Sequence, residues 1–264
     1  FPVILLASGV DGAGKGETVN LLNEWMDPRH IHTHAFGERS DAERERPDMW
    51  RFFQALPPKG RIGILFGSWY TDPIIKRVMG HLKRAEFEHQ LDHVRHLERM
   101  LVAEGALVLK LWFHLSKDAQ KKRMNALSDD KKTAWRVTER DWRQFKHYDK
   151  FVDVCEDALR ETGTGEAPWH IIEGSNPEYR AITAGKLLLD AVRHRLDGAA
   201  PVISPSAPAP KPAIDKRNVL NTLDYAARVP AKAYEKRIDK LQGRLSLLTR
   251  SPKMREHSVV MVFE

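Results

Sequence analysis

The segment that most constrains this chain is Gly9-Val10-Asp11-Gly12-Ala13-Gly14-Lys15-Gly16. It follows the apolar run Val3-Ile4-Leu5-Leu6-Ala7 and precedes the amphipathic stretch Thr18–Trp25. This is the G-x-x-x-x-G-K spacing of a phosphate loop, in the strand, loop and helix order that such a loop requires. Glycines let successive backbone N–H groups turn inward around phosphate oxygens, and the following helix adds the positive end of its dipole. Gly9, Gly12, Ala13, Gly14, Lys15 and Gly16 are therefore the candidate phosphate-binding residues, with Lys15 a point charge against the outer phosphates. Position 16 is Gly where the common motif has Ser or Thr to hold Mg²⁺, so Asp11 inside the loop is the local metal candidate. A glycine-rich turn that binds nothing is the plainer alternative; the context and the spacing argue against it.

Around this loop, short apolar runs alternate with helix-period stretches. Strand candidates are Val3–Ser8, Ile31–Phe36, Ile62–Phe66, Leu107–His114 and Trp169–Ile172, each bounded by Gly, Pro or charged clusters. The clearest helix places Phe87, Leu91, Val94, Leu97 and Leu101 on one face. Five strands with helical crossovers predict an α/β fold: a three-layer sandwich around a five-stranded parallel sheet. Hydrophobic residues at 42% of 264 are enough for such a core. No apolar run approaches the roughly 18 residues of a membrane-spanning helix. The single cysteine, Cys155, excludes an intramolecular disulfide scaffold and reads as a packed small hydrophobe. Lys plus Arg outnumber Asp plus Glu, 43 to 36, which suits any polyanion without choosing one. No recognition motif supports a nucleic-acid partner.

After Leu196 the composition changes. Asp197–Lys216 holds five prolines and five alanines and reads as an extended linker that closes a first domain over 1–196. Beyond it, Ala231–Thr249 is predicted helical, with Tyr234, Ile238, Leu241, Leu245 and Leu248 as an apolar seam. Val259–Glu264 then reads as a buried strand, so 217–264 is expected to be the leader helix and first strand of a second repeat. The chain opens at Phe1 straight into a strand and closes on another, and is expected to be a fragment.

Several blocks in order resemble the polyphosphate kinase 2 family: the loop itself, Ser40–Arg51, Pro57-Pro58-Lys59-Gly60-Arg61-Ile62-Gly63 and Ser68-Trp69-Tyr70. Phe87-Glu88 through Glu104-Gly105, Leu115-Ser116-Lys117 with Gln120 and Arg123, and Ala167-Pro168-Trp169 extend the resemblance to about Leu196. It implies a P-loop kinase-like fold with a helical lid. It also implies Mg²⁺-dependent phosphoryl transfer between inorganic polyphosphate and nucleotides in a cytoplasmic enzyme. The tail resembles the start of a second unit, as in the tandem members that make ADP from AMP. By that resemblance this chain is the first repeat, its partner is the second repeat of the same chain, and a homo-oligomer is compatible with it.

One block departs from the pattern. Members of the family that the chain resembles typically carry Asp-Arg-Ser-Trp-Tyr after the third strand; here Phe66 and Gly67 stand at the positions of the acid and the Arg. The acid would help hold Mg²⁺ and the Arg would stabilise charge on the transferring phosphoryl group, and loss of such a donor costs about 10²–10³ in rate. Asp11 and Lys15 remain as candidate catalytic residues in a repeat expected to be degenerate, and Asp72 lies too far along to substitute. Arg51 and Lys59 read equally as phosphate ligands and as surface charges; for Lys122 and Arg123 the surface reading leads. Asp129–Lys132 reads as a lid or as a polar loop. His30, His32 and His34 lack acids or Cys to complete a metal site, and Trp25, Trp50, Trp69 and Trp112 read as core.

Three functions stay open: a polyphosphate-dependent AMP phosphotransferase, a non-catalytic polyphosphate-binding or structural domain, and an ATP-dependent nucleoside monophosphate kinase.

Overall fold

The computed structural model describes residues 1–198, 229–256 and 259–262. They fall into two units: 1–38 with 49–198, and 39–48 with the C-terminal part. The first unit is an α/β sandwich on five strands, β1 (Val3–Gly9), β2 (Ile31–Ala35), β3 (Ile62–Phe66), β4 (Leu107–His114) and β5 (Trp169–Glu173). Every pairing is parallel, in the order β2-β3-β1-β4-β5. The five predicted strands all form, with ends moved by at most a residue or so.

Alternation along β4 shows how the layers arise. Leu109, Leu111 and Phe113 join Val3, Leu5 and Ala7 of β1 in one core cluster with Val19, Leu22, Ala184 and Leu188. These last come from α1 (Lys15–Trp25) and α9 (Pro177–Asp197), which pack together on that face. The intervening residues Val108, Lys110 and Trp112 point to the other face and are also buried. There α4 (Thr71–Val78), α5 (Arg84–Ala103) and α8 (Tyr148–Thr162) pack on one another. Phe87, Leu91, Val94, Leu97 and Leu101 of α5 are all buried, as their spacing predicts. Cys155 is buried in α8, and burial raises its thiol pKa.

Trp69 and Trp112 are core residues, but Trp25 is 53% exposed. It ends α1, and its ring lies over Gly185 of α9, where an added Cβ would stand 2.9 Å from it. The helix end leaves half of the indole beyond reach of the sheet. Among the described residues no group of three or more His, Cys, Asp or Glu could hold a metal ion, and His32 and His34 lie on β2 at the sheet's edge.

In the second unit, α2 (Asp41–Arg44) is closed by a capping box between Ser40 and Glu43. The helix predicted after Pro230 forms as α10 (Ala231–Thr249). Tyr234, Leu241, Leu245 and Leu248 of its seam are exposed. The strand expected at 259–264 is not seen: Val259, Val260, Met261 and Val262 are exposed and irregular, and 263–264 lie outside the described residues. An apolar run becomes a strand only where a neighbour takes its backbone groups. The linker over 197–216 lies outside the described residues beyond 198.

Candidate active site at the end of the central strand

β1 is the central strand, and the chain leaves its carboxyl end into the glycine loop. In parallel α/β sheets this is the end where ligands bind, where strand order reverses. Gly14 caps α1 with φ 79°. A Cβ there would also lie 2.1 Å from the guanidinium carbon of Arg180, so Gly14 is required twice over. Lys15, Gly16 and Glu17 form the first turn of α1, whose N–H groups have no partner within the helix. Lys15 Nζ donates to the carbonyls of Gly9 (2.6 Å) and Val10 (3.0 Å) and lies 3.4 Å from Asp11 Oδ1. The ammonium is thus folded onto its own loop, at the position from which it could turn to a phosphate.

Beside the loop is a cavity of about 400 Å³. Gly9, Asp11, Lys15 and Gln120 form its polar side, while Phe36, Phe66, Tyr70, Trp112, Phe145 and Tyr148 contribute aromatic walls. An apolar chamber with a few convergent polar groups is the usual form of a small-molecule site. Its volume suits a nucleoside-sized group rather than a macromolecule. Part of its lining comes from α6 (Lys117–Asp129), α7 (Glu139–Phe145) and the start of α8. Gln120 Nε2 donates to the carbonyl of Asp11 at 3.0 Å and ties α6 to the loop.

Behind the loop is an ion-pair cluster that the sequence reading missed. Glu17 receives Arg123 Nη2 on one oxygen and Arg180 Nη2 on the other, each at 2.6 Å. Arg180, buried in α9, also donates to Thr18 Oγ1 (3.1 Å) and to the carbonyl of Gly174 (2.7 Å). Arg123, half-buried, therefore belongs to the loop's surroundings: a Cβ on Gly12 would lie 3.6 Å from its Cγ. Lys122 is exposed, as expected. An arginine buried at the loop has no one-dimensional signature, because its side-chain partners Glu17 and Thr18 lie more than 150 residues away.

Other predicted residues are placed less favourably. Lys59 precedes β3, and the N–H of its neighbour Gly60 donates to the carbonyl of Phe1. Because Val3 pairs with Ile62, Lys59 sits at the amino end of the sheet, about 20 Å from the loop at strand spacing. Lys59 therefore does not lie at this loop: parallel register carries it to the opposite end of the sheet. Arg51, in α3 (Trp50–Phe53), stacks over the Phe36 ring at 4.9 Å and donates to the carbonyl of Gly37. It borders the cavity through Phe36. Asp72 pairs with Lys76 at 3.0 Å on α4 and does not line the cavity.

The donor set for a divalent cation is thin. Of the cavity's carboxylates, Asp141 is taken up capping α7 through Thr138, which leaves Asp11. Phe66 and Gly67, which carry no charge, line the cavity at the end of β3. Mg²⁺ keeps several waters and is held by one or two carboxylates plus substrate phosphates, so Asp11 fits it only as one ligand among phosphate oxygens.

Loop, parallel sheet and capping helices define a P-loop kinase-like α/β domain. The polyphosphate kinase 2 family model matches residues 1–198, and the chain belongs to that family. It is 44% identical over its whole length to a polyphosphate:AMP phosphotransferase of Pseudomonas aeruginosa, covering 53% of that protein. A solved P. aeruginosa structure assigned to polyphosphate kinase 2 superposes with TM-score 0.78 at 41% identity, over 96% of this chain and 47% of that one. Polyphosphate kinase 2 of Arthrobacter aurescens superposes with TM-score 0.72 at 32% identity, over 76% and 70%. The chain thus spans about half the length of the curated relatives that match it along its whole length.

Proposed function

We propose that this chain is the first repeat of a polyphosphate:AMP phosphotransferase, binding polyphosphate at its loop but turning over weakly by itself. The observation that carries this is the pairing of an intact cradle, Gly9–Gly16 with Lys15, with Phe66 and Gly67 at the facing strand end. Mg²⁺, when bound, would neutralise charge on the phosphate groups. Asp11 is the residue proposed to touch it. Lys15 would leave its loop carbonyls to meet the phosphate, and the aromatic walls would exclude water from the AMP moiety. The second repeat, joined in the same chain, and a cytoplasmic setting belong to this proposal. No helix among the described residues is long and apolar enough to cross a membrane.

The test is ADP formation from AMP by the purified chain under saturating Mg²⁺ and polyphosphate, beside calorimetric titration with polyphosphate. Binding that Lys15→Ala weakens about tenfold or more, with little ADP formed, is the expected result. Turnover of about 1 s⁻¹ or above would make this repeat an enzyme in its own right. Binding indifferent to Lys15 would move the anion site elsewhere.

A further inference from the structure

Lys110 stands in the middle of β4, an otherwise apolar central strand, with no exposed surface. Its Nζ uses all three of its donors: Glu98 Oε2 at 2.7 Å, the carbonyl of Thr162 at 2.8 Å and Tyr70 Oη at 3.2 Å. Glu98, also buried, accepts at its other oxygen from Trp69 Nε1 at 3.0 Å and Tyr70 Oη at 2.7 Å. Neither charged residue lines the cavity.

What they hold does line it. Tyr70 forms part of the wall, and its ring meets Trp169 edge-on at 4.9 Å. Trp169 is itself fixed by Nε1 donating to Thr162 Oγ1 at 2.9 Å. Trp69 packs edge-on to Phe52 at 5.7 Å, and Phe52 to Phe36 at 4.9 Å, which brings the chain of rings back to the cavity. One carboxylate thus sets both the Tyr70 and the Phe36 sides of the chamber. Burying two charges for stability alone is a poor solution, since an apolar pair of similar volume serves as well or better. A buried carboxyl without a counter-cation would take up a proton and lose acceptor capacity; Lys110 lets Glu98 accept from both aromatic donors as a carboxylate.

We infer that Glu98 and Lys110 are positioning residues of this site: an internal ion pair that fixes Trp69 and Tyr70, and through them the aromatic wall beside the phosphate loop. That this wall faces AMP rests on the function proposed above.

The test compares the wild-type chain with the apolar exchange Glu98→Leu/Lys110→Met and with Tyr70→Phe, which removes only a hydroxyl committed to the pair. The direct readout needs no ligand: hydrogen exchange of the Ser68, Tyr70 and Thr71 amides, which bond within their own turn. Expected is a folded apolar variant, by far-ultraviolet circular dichroism, whose amides at 68–71 exchange about tenfold faster or more while β1 and β4 stay protected. Tyr70→Phe should show the same local change to a smaller degree, and it decides the matter if the double variant does not fold. Unchanged protection at 68–71 in a folded variant overturns the inference. AMP titration of the wild type tests the function separately: no AMP binding with loosened turn amides would remove the substrate and keep the positioning role. Where AMP binds, the folded variants should bind it about fivefold or more weakly.

Discussion

Placing an acid and a cation at the end of β3, Phe66→Asp with Gly67→Arg, tests the proposal of weak turnover and asks whether the backbone there accepts the two side chains. Gly67 has φ +81°, and an added Cβ would lie 3.1 Å from the carbonyl oxygen of Phe36. A left-handed conformation costs a residue other than Gly about 1–2 kcal/mol. The neighbour cannot withdraw freely, because the Phe36 N–H donates to the Phe66 carbonyl at 2.9 Å. Phe66 is itself half-buried against the core cluster. Full burial of such a ring is worth about 1.5–3 kcal/mol, so its replacement by Asp forfeits roughly 1–2 kcal/mol. Together the double variant should lose about 2–4 kcal/mol, which for a domain of this size lowers Tm by roughly 5–15 °C. Gly67→Ala isolates the backbone part and should lower Tm by roughly 2–8 °C. Thermal melts followed by circular dichroism, run beside ADP formation at a temperature where each variant is folded, separate the two effects. If Gly67→Ala melts within a degree of the wild type, the backbone argument is wrong.

Two further expectations concern the loop and the sheet end. Gly16 lies in α1 with nothing within 4 Å of an added Cβ, so Gly16→Ser should be accepted and should stabilise by about 0.4–1 kcal/mol. If a cation sits there, Mg²⁺ should then strengthen polyphosphate binding more in the variant than in the wild type, by calorimetric titration; an equal Mg²⁺ effect would place the ion away from residue 16. His114, at the end of β4, has its pKa lowered by burial, opposed by Glu173, and His170 is lowered by burial as well. The folded chain therefore favours neutral rings: this stability is whole above the unfolded value near 6.5 and is lost as pH falls through the folded values. Tm should drop between pH 7 and 5, and His114→Gln should flatten that slope; an identical slope would remove His114 as a contributor.

The strands and the loop were legible because their signals are local. An apolar run bounded by turn residues, a 3.6-residue stripe and a G-x-x-x-x-G-K spacing are each contained within a few turns of chain. The same locality misled where partners were lacking: 259–262 has a strand's composition, and no sheet among the described residues takes it up. Lys110 was a visible anomaly, a charge inside Leu107–His114, yet its meaning depended on Glu98, Tyr70 and Thr162 arriving from other elements. Lys59 and Arg123 exchanged places for a related reason. Residues 59 and 123 carry equal charge in the sequence, but parallel register places one at the amino end of the sheet, and the β4–α6 connection brings the other to the loop. What the sequence determined by itself was the five strands of the sheet and where phosphate could be cradled. Which charges reach that cradle, and what fixes its aromatic wall, followed only from strand order, because proximity across a sheet is set by neighbouring strands and not by distance along the chain.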